Sequence, residues 1–481
     1  MNPTIERSAR LADYVWSFLG AHKFVVGVFL AAYFIFKARD QVKITKPRKP
    51  LELHLKDGQT ESLDKLVQQV PGLKNGDTLW YNPLKVLNHV QTIMASQNDL
   101  HGTDLVYYAR RMVDFDDGVQ IAADYVVPAP KTAEEKAAWK KGLEYKPEEN
   151  TPKFPVRTRY KQPQEVELDH SDDDKPMLIL LHGLTGGSYE SYVRAVVAKI
   201  TSETNAAADG SPVDFECVVM NTRGCARTTI KTPELFNGCW TEDVRRFVKD
   251  MRKRYPNRRF YMVGFSLGAS ILANYLGQEA EDIDIEAACV VANPWDLCAS
   301  YYALRSSWSG RHLYNPQMAK NLLRMLRNHR EIMKRNPVYD ESLTKQVKSI
   351  VDFDNLFTAP MFGFDTATDY YRYGSSCNRI MNIRVPTLIL HSLDDPVAPG
   401  FQLPYHEIKA NPYTVMAATN HGGHIGWFHW GKEKRWFPSK IAGFFSQFEH
   451  VVDHKKDNKT KVERLERRWE NDRIRAVRYD F

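Results

Sequence analysis

The sequence predicts an α/β fold, with a mostly parallel central sheet, helices on both faces and a helical cap insertion. Three observations carry that expectation. Short apolar runs such as "PMLILLHG", "FYMVGFS" and "AACVVANP" alternate with segments of helical apolar spacing. The runs have no polar face, as strands buried on both sides require. The alternation stops between Trp295 and Asn382, where "PQMAKNLLRMLRNHREIM" keeps a helical period, and it resumes at "VPTLILHS".

At the N-terminus, Phe24 to Phe36 reads "FVVGVFLAAYFIF", without a charge. A full membrane span needs roughly 20 apolar residues. The combined stretch from Tyr14 to Phe36 reaches that length if Lys23 snorkels. No small-residue cleavage site follows, which argues against a removed signal peptide. The basic cluster Lys37, Arg39, Lys43, Lys46, Arg48 and Lys49 outweighs Arg7, Arg10 and Lys23 before the run, so the C-terminal side is expected in the cytosol. A membrane anchor over 1–50 is preferred; a buried N-terminal helix is the alternative.

Next, "MVDFDDGVQIAADYVV" alternates around Asp117-Gly118, a hairpin signal. Residues 128–175 are polar, proline-rich and without sustained period, and read as a partly mobile surface insertion. The strand "PMLILLHG" leads to the helix "YVRAVVAKI", and "FECVVMNTRG" to "TEDVRRFVKDMRKRY". "FYMVGFS" then leads to "ASILANYLGQEA", and "AACVVANP" closes the first part of the core, 51–294. The cap occupies 295–382, and the core resumes over 383–452 with strands "VPTLILHS" and "YTVMAATN" and a last helix near Lys440 to Val451. In the charged tail, 453–481, Val462, Leu465, Trp469, Ile474 and Val477 recur at roughly helical intervals, fitting either an amphipathic helix or a solvated tail.

Composition excludes little but bounds the partners. The chain has 481 residues, 43% hydrophobic, with a net charge of +7, modest for this size and compatible with an anionic membrane surface. It carries no nucleic-acid-binding motif, and no nucleic-acid partner is expected. Its cysteines lack metal spacing and mostly sit in apolar segments, which fits a reducing compartment. The sequon Asn458-Lys459-Thr460 would go unused on that topology.

The chemistry is concentrated in Gly264-Phe265-Ser266-Leu267-Gly268, a G-x-S-x-G where a strand pattern becomes a helix pattern. Gly264 and Gly268 permit a tight crossing that lifts the Ser266 hydroxyl into the open, with the Leu267 N–H at a helix N-terminus. A hydroxyl is a poor nucleophile without a base, so a histidine and an orienting carboxylate are expected further along. Leu393-Asp394-Asp395-Pro396 follows one strand, and His421-Gly422-Gly423-His424 follows another. The order Ser, Asp, His completes the pattern.

With "LHGLTGGS", "NTRGCARTT", "GFSLGA", "DDPVAP" and "GGHIGW", the chain resembles α/β-hydrolase esterases and lipases over roughly 105–449. More narrowly, it is similar to the group of YheT-type hydrolases, animal membrane-anchored lipid hydrolases and fungal medium-chain fatty acid ethyl ester synthase/esterases. The resemblance implies Ser266 as nucleophile, Asp395 as orienting acid and His424 as base. Asp395 is preferred over Asp394 because Pro399 stands four positions on, and His424 over His421 because it matches G-G-H-x-G. It also implies the Leu184 N–H as an oxyanion donor beside that of Leu267, with His182 bracing the loop. Asn221, Arg223 and Gly224 are expected to hold the neighbouring turn, and Asp243 to serve its helix dipole.

The expected reaction is hydrolysis of medium-chain acyl esters, such as monoacylglycerols or fatty acid ethyl esters, through an acyl-enzyme, with no metal or organic cofactor. The anchor, the cap and the aromatic segment Trp427, Phe428, Trp430, Trp436 and Phe437 suit an acyl chain taken from a membrane or lipid droplet, although those aromatics equally fit packing under the last helix. An endoplasmic reticulum, lipid droplet or mitochondrial outer surface location follows, with the catalytic part in the cytosol. The alternative is an alcohol O-acyltransferase making ethyl esters from acyl-CoA; a phospholipase activity stays open too.

Overall fold

A computed structural model of the protein describes residues 23–97, 102–149, 151, 154, 157–430, 434–459, 468–470 and 473–475. Its main sheet has ten strands, labelled in chain order: β1 (Lys43–Thr45), β2 (Tyr107–Asp114), β3 (Gln120–Val127), β4 (Thr158–Tyr160), β5 (Met177–Leu181), β6 (Glu216–Asn221), β7 (Phe260–Phe265), β8 (Ala287–Val291), β9 (Thr387–Ser392) and β10 (Thr414–Thr419). Their spatial order is β1-β10-β9-β8-β7-β5-β6-β3-β2-β4. The six strands from β10 to β6 are parallel, while β3 runs antiparallel to β6 and β1 to β10.

Chain order and spatial order differ because β5 and β6 lie on one side of β7, whereas β8, β9 and β10 lie on the other. In an open sheet the strand ends collect ligands where the order reverses. β7, which delivers Ser266, stands there. β5, β7 and β8 are buried along their whole length, each leucine, isoleucine or valine contributing about 1.5–3 kcal/mol on burial. Their apolar side chains feed two cores, one on each face of the sheet.

Nine helices matter for the site or its surroundings: α1 (Lys23–Lys37), α2 (Asn88–Ser96), α3 (Ser191–Ile200), α4 (Glu242–Arg254), α5 (Leu267–Glu279), α6 (Leu297–Ser306), α7 (Asn315–Asn328), α8 (Ala367–Gly374) and α9 (Phe437–Val451). Helices α3, α4, α5 and α9 cover the sheet. Helices α6, α7 and α8 fill the chain between β8 and β9 with their own apolar clusters. Two π-helical turns, Gly310–Tyr314 and Asp354–Thr358, interrupt this region.

Two expectations need correction. Residues 128–175 are not simply a surface insertion: β4 pairs with β2, and Asp169, buried, takes Arg111 at 3.1 Å and Lys161 at 2.8 Å. Proline content hid this, because a three-residue strand carries too little alternation to read. In the tail, Arg468–Glu470 pairs antiparallel with Arg473–Arg475, so the helical spacing noted there does not make a helix of those residues. Val462, Leu465 and Val477 lie outside the described residues, as do 1–22, the upstream part of the expected anchor. No helix among the described residues is long and apolar enough to cross a membrane. The six cysteines are free, and the Asn458 side chain accepts from the His54 N–H and donates to the Asp453 carbonyl.

The helical segment also holds a buried carboxyl, Asp354, which accepts from Thr358 Oγ1 and Tyr371 Oη, both at 2.6 Å. Burial pushes its pKa up to about 6 despite these donors. The folded state therefore binds a proton more tightly than the unfolded chain, and stability falls as pH rises from the unfolded value through about 6. Relative to wild type, Asp354→Asn is expected to gain about 1 kcal/mol between pH 5 and 7.5, read by thermal melts at both pH values.

Candidate active site

β7 ends at Phe265, and the chain turns into α5 through Ser266 at φ 53° and ψ −118°. A non-glycine residue there stores about 1–3 kcal/mol and persists only when its surroundings enforce it. They do so through backbone. The Ser266 N–H donates to the Val291 carbonyl at 3.0 Å, and the Ser266 carbonyl accepts from Ala269 and Ser270. A Cβ on Gly264 would sit 2.5 Å from the Gly268 carbonyl oxygen, and one on Gly268 would fall on the carbonyls of Leu181 and His182. Both glycines are therefore steric necessities of the crossing.

Three loops then converge. His424, following β10, places Nε2 2.8 Å from Ser266 Oγ and Nδ1 2.7 Å from Asp395 Oδ2. Asp395, following β9, is buried, and its Oδ1 accepts from the Val397 and Ala398 N–H groups at 2.8 Å. A carboxylate so engaged is an acceptor for the ring, which puts the imidazole proton on Nδ1 and leaves Nε2 to accept from the Ser266 hydroxyl. The His424 N–H donates to Thr92 Oγ1 on α2 at 2.9 Å, which fixes the loop from outside the sheet.

The alternative pair is spent elsewhere. Asp394 accepts from Ser392 Oγ and the Gly423 N–H, both at 2.9 Å, and lies 3.3 Å from His421 Nδ1. The His421 carbonyl takes the Tyr81 and Thr419 hydroxyls. Among the described residues none of these contacts reaches Ser266.

Around the expected oxyanion donors, the Gly183 N–H donates to Tyr192 Oη at 2.9 Å, while the Leu184 and Leu267 N–H groups have no acceptor among the described residues. His182 is buried, and burial pushes its pKa down to about 4. Its Nδ1 lies 2.7 Å from the Gly183 carbonyl and its Nε2 accepts from the Thr222 N–H, so a neutral ring ties two loops together. Asn221 accepts from the Ser188 N–H. Asp243 departs from expectation: its carboxylate is paired with both Nε and Nη2 of Arg223, at 2.9 and 2.6 Å, in a buried bidentate contact rather than left to a helix dipole.

Ser266 and His424 open on a cavity of about 750 Å³. Leu184, Met318, Met325, Val397 and Ile425 give it apolar walls. Met318 and Met325 belong to α7, which also contributes Gln317, Asn321, Arg324 and Asn328, spaced four, three and four apart and hence on one face of the helix. Glu190 lines the same cavity, and burial pushes its pKa up to about 7 although Arg435 and Arg194 pull it down.

An alpha/beta hydrolase fold family model matches residues 176–428. This chain belongs to the α/β-hydrolase family. Among relatives, a monoacylglycerol lipase of Saccharomyces cerevisiae is 42% identical over 391 residues, covering 80% of this chain and 84% of the relative. A medium-chain fatty acid ethyl ester synthase/esterase 2 of the same yeast is 34% identical over 432 residues, covering 84% and 93%. Human phospholipase ABHD3 is 30% identical over 305 residues, covering 60% and 70%.

Within this α/β-hydrolase, sequence inspection missed Thr92, Glu190 and the polar face of α7. Thr92 carries no motif, since a threonine on an ordinary helix acquires its partner only by tertiary packing. The α7 stripe was visible as a period, but which of its faces looks into the cavity is set by the packing of Leu322, Leu323 and Leu326 on the other side.

Proposed function

We propose that the chain is a serine esterase acting on medium-chain acyl esters of small alcohols, monoacylglycerols in particular, at a membrane or lipid droplet surface. The observation that carries this is the unbroken Ser266–His424–Asp395 chain opening on a cavity lined both by apolar side chains and by a row of polar ones on α7. His424 Nε2 takes the Ser266 proton as Oγ attacks the ester carbonyl, and the imidazolium is held by Asp395. The tetrahedral oxyanion is received by the Leu184 and Leu267 N–H groups, each donor worth roughly 3 kcal/mol of barrier. His424 returns the proton to the leaving alcohol, and water repeats the sequence on the acyl-enzyme.

The acyl chain lies along Met318, Met325 and Ile425, and the alcohol faces the α7 stripe. A glycerol moiety offers hydroxyls that Asn321 and Arg324 can bond, which matches a relative named monoacylglycerol lipase. Membrane association is supported by α1, whose exposed side chains include Phe29, Leu30 and Phe36, and by the basic residues that follow it.

The test is product analysis with monoacylglycerols and p-nitrophenyl esters of increasing chain length, with and without ethanol. Free acid peaking at medium chains supports the esterase. Ethyl ester formed at the expense of acid moves the assignment to acyl transfer, and inertness across the series removes both. In the same assay Arg324→Leu is expected to raise KM for monoacylglycerol by about three- to tenfold, the worth of one or two hydrogen bonds, while leaving p-nitrophenyl acetate turnover nearly unchanged.

A further inference from the structure

A second surface adjoins the cavity from outside. The chain leaves α1 into Arg39–Gln41, which pairs with Thr78–Trp80, and the Tyr81 N–H donates to the Ala38 carbonyl at 2.8 Å. The Trp430 N–H donates to the Trp80 carbonyl at 2.8 Å, and α1 packs against the turn Pro83–Lys85. These bonds gather Trp80, Leu84, Leu87 and Trp430 beside α1. All four are solvent-facing: Leu84 is 86% exposed, Trp430 60%, and Phe36 at the end of α1 84%. An exposed apolar area of this kind marks an interaction site.

We infer that this patch is a second lipid-docking surface, which lays the catalytic domain against the face of an anionic leaflet beside the point where α1 inserts. Its chemistry fits a lipid boundary better than a protein partner. Two tryptophans stand next to exposed aliphatic tips, the arrangement that suits the headgroup level. Lys85 lies over the Phe428 ring and Lys37 over the Tyr33 ring, both half-buried, while Arg39, exposed, stands across the strand pair from Trp80, so positive charge borders the apolar centre.

The patch is also coupled to the site. Leu87 is the residue before α2, and Thr92, Ala95 and Ser96 on that helix line the cavity. Asn88 donates to the Asp394 carbonyl, and Thr92 holds the His424 N–H. One helix of about 13 Å thus joins the lipid-facing edge to the loops that carry Asp395 and His424. A substrate leaving the leaflet at the patch meets the cavity wall within that distance. This inference rests on the membrane esterase reading above, and its test separates the two.

Full-length protein is floated with phosphatidylcholine vesicles, with and without phosphatidylserine, as wild type and as Leu84→Asp/Trp430→Asp, with p-nitrophenyl acetate turnover read in parallel. The double variant is expected to lose at least about fivefold in vesicle partition and in hydrolysis of vesicle-borne monoacylglycerol, and to keep soluble-ester turnover within about twofold. Equal partition of the two proteins overturns the patch, and so does sedimentation showing that the variant only dissociates a dimer of this chain. Wild type without soluble-ester turnover overturns the esterase reading whatever the partition. If the charged variant loses soluble turnover, Trp430→Phe is compared with wild type for fluorescence quenching by brominated-acyl vesicles; reduced quenching supports the patch, and unchanged quenching overturns it.

Discussion

Ser266→Ala is expected to lower kcat for medium-chain esters by about 10⁴- to 10⁶-fold, some 5–8 kcal/mol of barrier, with the fold intact. The expectation rests on how little else the hydroxyl does. Among the described residues it bonds to His424 Nε2, and the strained turn is held by the Ser266 backbone and by the carbonyls around Gly264 and Gly268. Alanine keeps the Cβ and the backbone bonds, so the melting temperature is expected to stay within a few degrees. Removing Oγ eliminates the bond-forming atom, leaving only the cavity and the two free N–H groups to act on a bound ester. Loss of fluorophosphonate labelling together with loss of turnover, at unchanged melting temperature, is the expected pair of results. A variant that still hydrolyses esters at a tenth of the wild-type rate would remove Ser266 from the chemistry altogether.

Much of this arrangement was legible in the sequence, for a physical reason. A strand buried on both faces has to be apolar throughout, so β5, β7, β8, β9 and β10 announce themselves as runs bounded by turn residues. The crossing at Ser266 needs glycine at two fixed positions, and a cavity residue at a strand end falls just past such a run. Asp394-Asp395 and His421 to His424 fall past their strands in that way, and the family pattern is what singles out Asp395 and His424 within each pair. What stayed hidden depends on contacts between distant segments. β4 is too short to show alternation. Arg223 and Asp243 stand twenty positions apart with no pattern linking them, and the structure joins them in a buried bidentate pair. The polar face of α7 and Thr92 gain their meaning from what the opposite faces of their helices bury. The edge strand β1, within the basic flank of α1, pairs with β10 at the far end of the chain, and no local signal specifies such a partner.

The choice between two adjacent aspartates gives the sharpest discrimination. Asp395→Asn is expected to reduce kcat about 10⁴-fold, because the new amide donates where the carboxylate accepted. Facing an Nδ2–H donor, His424 turns to the tautomer with its proton on Nε2, which then cannot accept from Ser266 Oγ. The geometry survives, since an asparagine Oδ1 still takes the Val397 and Ala398 N–H groups that bind this side chain now. Asp394→Asn meets different neighbours. Its Oδ1 continues to accept from Ser392 Oγ and the Gly423 N–H, and only the 3.3 Å contact with His421 changes character. That variant is expected to stay within about tenfold of wild type, the worth of about one hydrogen bond. Side by side, at matched melting temperature, the two kcat values should differ by about three orders of magnitude. The reverse order would make Asp394 and His421 the working pair, and would require the loop after β10 to swing His421 toward Ser266, away from Asp40, whose carboxylate now accepts its N–H at 2.9 Å.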